Sequence, residues 1–304
     1  MARMGTIASR AESLLAAAVV ATTPVAGGDI CTSTRLRLSD GRSALIKTRP
    51  HAPDGFFPTE AAGLRRLGAA GGTDVPDVLA VEEDCLILRW VESGRPSAEA
   101  AERFGRSLAL THREGGSAGG SGSGAAFGSG SGSGSSSAPG KDGFIGTLPM
   151  PNRAAESWPE FYATRRILPY LKLARDRSAI SPDDARSVEA VVRKIVDLAG
   201  PAEPPARLHG DLWSGNVLWG RGDRVWLVDP ATYSGHRETD LAMLALFGLP
   251  HLQRMLDAYH EADPLSDGWE ERAPLHQLFP LLVHACMFGG SYGSRAADAA
   301  RSLF

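Results

Sequence analysis

A histidine, an aspartate two residues on, and an asparagine five residues after that stand in the stretch LHGDLWSGNVLWG, residues 208–220. Asp211 supplies a carboxylate able to accept the proton of a hydroxyl nucleophile. Asn216 offers a neutral amide oxygen to an oxygen-preferring cation such as Mg2+. Thirteen residues after Asn216, the apolar run VWLV delivers a second carboxylate, Asp229, where a further metal ligand is expected. Phosphoryl transfer needs little more than an oriented hydroxyl, metal ions across the phosphates and cations on their oxygens. Asp and Asn in loops are ordinarily turn residues. Three of them in this order around an apolar strand imply phosphoryl transfer from ATP instead.

Such a site also requires a lysine on an early strand and a glutamate on the next helix. The segment ALIK ends in Lys47, and PTEAAGL offers Glu60. The chain has 28 arginines and only 4 lysines, so a lysine closing an apolar strand suggests a compact ammonium placed on phosphate oxygens. An acidic residue in a first helical turn is also common for dipole reasons, which makes Glu60 the weaker of the two signals. In PVAGGDICTS, Gly27 and Gly28 would let backbone amides approach the ATP phosphates, although two glycines also make an ordinary turn. Cys31 lies within the same loop. Its default reading is a small buried side chain, with redox sensitivity the alternative.

Positioning these groups takes two kinds of architecture. The first ninety residues read as strands and turns around one helix. RLRLSDGRSALIKTR carries a hairpin signal at Asp40-Gly41, DCLILRWV is a buried-strand pattern, and PTEAAGLRRLGAA is helical with Pro58-Thr59 as its start. From there the chain turns helical, in AEAAERFGRSLALTHR, WPEFYATRRILPYLKLAR, PDDARSVEAVVRKIVDLA and much of the chain after residue 238. This pattern predicts an α+β chain of two lobes with a boundary near residues 91–96: a β-rich 1–92 and a larger helical 93–304. Residues 115–140 interrupt the second part. Because 20 of those 26 positions are Gly or Ser, a flexible loop without a core is expected.

Composition bounds the rest. At 304 residues and 43% hydrophobic, the chain can bury the core of two lobes. A net charge of -3 excludes the basic stripe of a nucleic-acid binder and a polybasic membrane segment. Three scattered cysteines, Cys31, Cys85 and Cys286, argue against a disulfide framework and a zinc site, and suit a reducing cytoplasm. LLAAAVVATTPVA, residues 14–26, has the outline of a secretion signal. Glu12 just before it favours a short helix, TIASRAESLLAAA, running into a first strand, VVATTPVA. No apolar run reaches the roughly eighteen residues of a membrane span.

On these residues the chain resembles the fructosamine kinase (ketosamine 3-kinase) family, on the aminoglycoside phosphotransferase-like branch of the protein-kinase fold. HGDLWSGN is the most specific element. PVAGGDI, LIKTR, FFPTEAAGLRRL, GFIGTLPMPN, WPEFYATRRILPYLKLA, DPATYSGHRETDLAMLALFG and FGGSY extend the likeness over nearly all of the chain outside the Gly/Ser insertion. The resemblance implies transfer of the ATP γ-phosphate to a sugar hydroxyl of a small-molecule or protein-bound ketoamine, such as a fructosamine or ribulosamine, and hence protein deglycation. It implies that Asp211 is the base, that Asn216 and Asp229 hold magnesium, and that Lys47, oriented by Glu60, touches the nucleotide phosphates. It also implies an adenine-binding hinge at Arg89, Trp90 and Val91, and makes Asp240 a buttress of the catalytic loop. His209 and Trp213 are its candidate acceptor-side residues. Trp213 either packs on the apolar face of the sugar or anchors the loop to the core. Two departures bear on specificity: Arg89 stands where relatives usually carry Glu, and Gly143 where they often carry Asn. The competing readings are a kinase for another hydroxylated amine, aminoglycoside- or choline-like, and an inactive nucleotide-binding module. The oligomeric state is not legible.

Overall fold

Period-two alternation builds the first layer. Strands β1 (Val19–Val25), β2 (Thr32–Leu38), β3 (Ser43–Thr48), β4 (Val78–Val81) and β5 (Cys85–Arg89) form one antiparallel sheet in the order β1-β2-β3-β5-β4. The structure, a computed structural model, describes residues 2–26, 30–113, 127–128 and 142–304. Helix α1 (Ala2–Leu15) leads into β1, as expected, and packs on the outer face of the sheet. That face presents Leu36, Leu38, Ala44, Ile46, Cys85 and Ile87, with Ala11 of α1 fully buried against them. The inner face carries Leu86 and Leu88, which pack against Phe57, Ala61 and Leu64 of helix α2 (Phe56–Gly68). One sheet thus has two apolar faces, and one helix covers each.

Helix α2 starts two residues before Pro58. Gly55 takes a left-handed conformation (φ 78°) that turns the chain into the helix, and its N–H donates to Glu83 at 2.7 Å. That turn chemistry, rather than Pro58-Thr59, sets the start.

The helical part continues with α3 (Ala98–Arg113), a short hairpin of β6 (Gly143–Ile145) and β7 (Leu148–Met150), and a long helical run over residues 158–176. That run is continuous with the sequence pattern but not uniform. It consists of α4 (Trp158–Phe161), a wider π turn (Tyr162–Ile167) and α5 (Leu168–Asp176). Pro169 in the first turn of α5 has no N–H to give the preceding turn, and a wide turn accommodates its ring. Within that turn the guanidinium of Arg166 is fully buried, 4.0 Å over Tyr233 and 4.6 Å over Phe161. It donates to Pro151 O at 2.6 Å and Asn152 Oδ1 at 2.7 Å, fastening the exit of the hairpin to the helices.

The remaining elements are α6 (Pro182–Arg193), α7 (Ile195–Leu198), β8 (Ala206–Leu208), β9 (Val217–Trp219), β10 (Val225–Leu227), β11 (Tyr233–Gly235), α8 (Glu238–Phe247), α9 (Leu252–Ala262), α10 (Trp269–Phe288) and α11 (Tyr292–Arg301). Strands β9 and β10 pair antiparallel, as do β8 and β11, so two small ribbons frame residues 209–216. Of the Gly/Ser-rich stretch, Phe127 and Gly128 lie within the described residues. Phe127 is buried against the helical core, and Gly128 exchanges backbone hydrogen bonds with Ser234 at 2.7 and 2.8 Å. The expectation of a flexible loop for the rest of 115–140 lies outside the described residues.

Candidate active site

The pleat of β3 decides what its lysine faces. Ala44 and Ile46 turn outward under α1, which sends Leu45 and Lys47 inward. There the Lys47 ammonium lies 2.6 Å from Glu60 Oε1 on α2 and 2.9 Å from Asp229 Oδ1. Burial works against the charge of Lys47, but Asp229 and Glu60 outweigh it and raise its pKa, so the group stays an ammonium. Glu60 is itself buried and stands past the first turn of α2, so its place reflects this ion pair rather than the helix dipole.

Residues 209–216 leave β8 as a loop pinned from behind. Asp240, on the first turn of α8, accepts the N–H of His209 at 2.7 Å and of Gly210 at 3.0 Å. Its Oδ2 also lies 3.2 Å from His112 Nε2 on α3, and His112 Nδ1 is 2.7 Å from the Tyr259 hydroxyl on α9. Gly210 (φ 82°) passes so close to β11 that a Cβ there would stand 2.0 Å from Ala231 O. With Leu212 fully buried below it, the loop has one available course.

That course presents Asp211 and Asn216 together. The Asn216 Nδ2 donates to Asp211 O at 2.8 Å and to Asp211 Oδ2 at 3.2 Å, which orients the carboxylate and leaves the amide oxygen as the other end of the side chain. Burial and the nearby Asp229 carboxylate push the pKa of Asp211 up to about 7. Asp229 sits just past β10 in a left-handed conformation (φ 54°), its side chain 46% exposed and aimed at Lys47. A non-glycine residue in that region marks a strained position, and the strain is found where Asp229 reaches between sheet and loop.

The remaining sequence candidates fall on both sides of expectation. His209 was expected on the acceptor side, but it is fully buried. Its Nε2 is 2.9 Å from Val228 O, and its Nδ1 lies 3.3 Å from the N–H of Asp211, so both ring nitrogens serve the loop. Burial holds its pKa low, which suits a neutral ring in that role. Trp213 is 40% exposed, and its ring lies over Gly215, where a Cβ would meet Cη2 at 2.2 Å. Its ring edge faces Phe247 at 6.3 Å, and Phe247 stacks toward His284 at 4.7 Å. Arg89 is turned away and taken up by Asp77 at 2.6 Å, while the Trp90 N–H donates to Ser43 O at 3.1 Å. Gly27 and Gly28 lie outside the described residues. Two apolar residues escaped the sequence reading. Leu45 shares the inner face with Lys47, and Leu218, 36% exposed, turns away from the core that buries Val217. Alternation around Lys47 could have found the first.

The fructosamine kinase profile matches residues 4–304. The chain belongs to the fructosamine kinase family. A candidate fructosamine-3-kinase from Thermobifida fusca YX-ER1, solved by crystallography, is 46% identical and superposes with a TM-score of 0.88 over 98% of each chain. A candidate ketoamine kinase from Thermus thermophilus is 36% identical over 271 residues, 88% of either chain. The chloroplastic protein-ribulosamine 3-kinase of Arabidopsis thaliana is 28% identical over 277 residues, 90% of this chain and 79% of its own. Phosphotransferases at 14–16% identity share the fold over the full length of the chain, and at that distance they speak to the fold alone. This family member is therefore a phosphotransferase of two-lobed, protein-kinase-like α+β fold, with an antiparallel sheet lobe and a helical lobe. Among the described residues no helix is long and apolar enough to cross a membrane.

Proposed function

We propose that the protein is an ATP-dependent ketoamine 3-kinase that acts on fructosamine- or ribulosamine-type adducts, free or on a protein, and serves deglycation in the cytoplasm. The observation that carries this reading is the convergence of Lys47, paired with Glu60 and Asp229, on a loop that holds Asp211 against Asn216. In this mechanism Asp211 takes the proton of the acceptor hydroxyl while that oxygen bonds the γ-phosphorus. The bond from the γ-phosphorus to ADP breaks, and ADP leaves with its electron pair. A carboxylate with a pKa near 7 suits the task, since it accepts the proton readily and gives it up to water afterwards. Lys47 binds phosphate oxygens, and Glu60 keeps its ammonium in place.

Asn216 and Asp229 fit a magnesium ion: both are oxygen donors, and the Asn216 N–H2 is already spent on Asp211. When bound, Mg2+ draws charge from the phosphate oxygens. Leu45 and Leu218, with the backbone of Trp90 and Val91, would hold the base of ATP. Binding of the phosphates is assigned, as part of this proposal, to Gly27 and Gly28. Trp213 lines the acceptor side, since its ring is 40% exposed beside Asp211 while the neighbouring Leu212 is sunk in the core. This reading divides the chain into a nucleotide-binding lobe over 1–92 and a catalytic and acceptor-binding lobe over 93–304.

The test is ADP release with fructose-, ribose- and erythrulose-derived ketoamines against kanamycin and choline, with the phosphate position mapped on the product. Ketoamine turnover with phosphate on the 3-hydroxyl is expected. Turnover of kanamycin or choline alone would replace the substrate assignment. Asp211→Ala should abolish turnover while ATP affinity is kept, and undiminished turnover would remove Asp211 as the base.

A further inference from the structure

The sheet register places a second charged residue on the face that carries Lys47. Across β2, β3 and β5 the pairs Arg35↔Leu45 and Leu45↔Leu88 stand directly opposite one another, as do Ser33↔Lys47 and Lys47↔Leu86. Directly opposed residues of an antiparallel pair share a face. Arg35 therefore belongs to the same inner face as Leu45 and Lys47, one strand outward from Leu45. Its guanidinium does not run free from there. It lies 4.4 Å over the Trp90 ring, and its Nη2 donates to Glu92 Oε1 at 2.7 Å. Trp90 in turn continues the ladder of β5 through its N–H to Ser43 O. Its indole N–H is shielded and has no partner among the described residues. A planar cation is thus layered on an indole and fixed by a carboxylate at the end of the sheet. The charge is one-third exposed, so the ion pair by itself adds little to stability.

We propose that Arg35 is a nucleotide-recognition residue whose guanidinium, backed by Trp90 and held flat by Glu92, forms the outer rim of the base slot and packs against the purine. This rests on the phosphotransferase reading above, which puts the base at Leu45. It goes beyond that reading because it assigns base recognition to a side chain of β2 and to a stacked pair, in addition to the hinge backbone. Purines present both a π face and acceptor nitrogens, and a guanidinium satisfies either, as a stacking plane or as a donor. Arginine suits the position and lysine does not, because an ammonium offers no plane.

The experiment measures ADP binding by calorimetry, which needs no acceptor, in the wild type and in Arg35→Met, Arg35→Lys and Glu92→Gln variants. The melting temperature of each serves as the control for folding. Arg35→Met is expected to weaken ADP about ten-fold and Arg35→Lys nearly as much, while Glu92→Gln, which keeps the guanidinium, costs less than three-fold. The acceptor KM should not move in any of them. Unchanged ADP affinity in Arg35→Met overturns the proposal. Equal losses in Arg35→Met and Glu92→Gln also overturn it, because the pair would then be only a tie between β2 and the hinge. If the wild type binds ADP but turns over no ketoamine, the substrate reading fails while this inference is still decided by the same titrations.

Discussion

Trp213 distinguishes this loop from a bare His-Gly-Asp frame, and its geometry explains how. The ring folds back over Gly215, so the glycine is there to admit the indole rather than to turn the chain. Two changes should therefore act on the same property. Trp213→Leu removes the ring, and Gly215→Ala drives a methyl group into it. Both are expected to raise the ketoamine KM roughly ten-fold, the worth of an aromatic face on an apolar sugar surface, and to leave the ATP KM within two-fold. Steady-state kinetics varying each substrate in turn would check this, and an unchanged ketoamine KM in both variants would reduce Trp213 to a packing residue. At this scale much was legible in the sequence. That Lys47, Glu60, Asp211, Asn216 and Asp229 would come together could be read because chemistry restricts residue type and spacing together. His209 was misplaced because the letters do not say which way a side chain points: its neighbours are loop residues, yet Val228 O lies directly behind it. Leu45 and Leu218 drew no notice because an apolar letter does not say which face of a strand it lies on.

Element by element, the loop over 209–216 takes its shape from the helices behind it. Helix α8 carries two buried carboxylates on its first turn that work in opposite directions. Asp240 holds the loop, while Glu238 is gripped by α10 through Arg272 at 2.6 and 3.1 Å and His276 at 3.1 Å. Asp240→Asn puts an N–H2 where one of two backbone amides now finds an oxygen. It should lower kcat by about two orders of magnitude through misplacement of Asp211, with the ADP dissociation constant nearly unchanged. Behind α8, α3 and α9 touch backbone to backbone at Gly105, where a Cβ would stand 2.1 Å from Met255 O. Gly105→Ala is expected to cost about 1–3 kcal/mol in urea denaturation, because the helices must part. A cost of only a few tenths would show that they yield freely. The helices were read from periodicity, and α3 matches its expected bounds at both ends. What periodicity could not show was a change of pitch: Pro169 widens the preceding turn, and that widening is where Arg166 sinks among Tyr233, Phe161 and Phe279.

Across the whole molecule, the buried histidines of the helical lobe tie stability to pH in one direction. His236, stacked 5.0 Å from Trp158 and 4.9 Å from His276, has its pKa lowered from 6.5 to about 3, first by burial and then by His276. The unfolded chain therefore takes up that proton first. The stability His236 contributes is whole above pH 6.5 and is lost as the pH falls from there toward 3, at up to about 1.4 kcal/mol per pH unit. Glu238 acts further down. Burial alone would raise its pKa, but the hydrogen bonds from His276 and Arg272 prevail and hold it at about 2 against an ordinary 4.5. Its contribution is present above pH 4.5 and disappears between 4.5 and 2. From 6.5 to 4.5 the slope sets the buried histidines, with His209, His276 and His284 lowered in the same sense by burial, against Asp211, whose pKa raised to about 7 gives the opposite slope. Four lowered rings outweigh that one carboxyl, so melting temperatures measured from pH 8 to pH 4.5 should fall below 6.5, and more steeply in Asp211→Asn. In His236→Gln, whose amide oxygen can still accept the Glu238 N–H, the fall should be shallower even if the plateau at pH 8 is lower. A curve parallel to the wild type would show that His236 does not titrate with unfolding, and that the acid sensitivity lies with the other three rings.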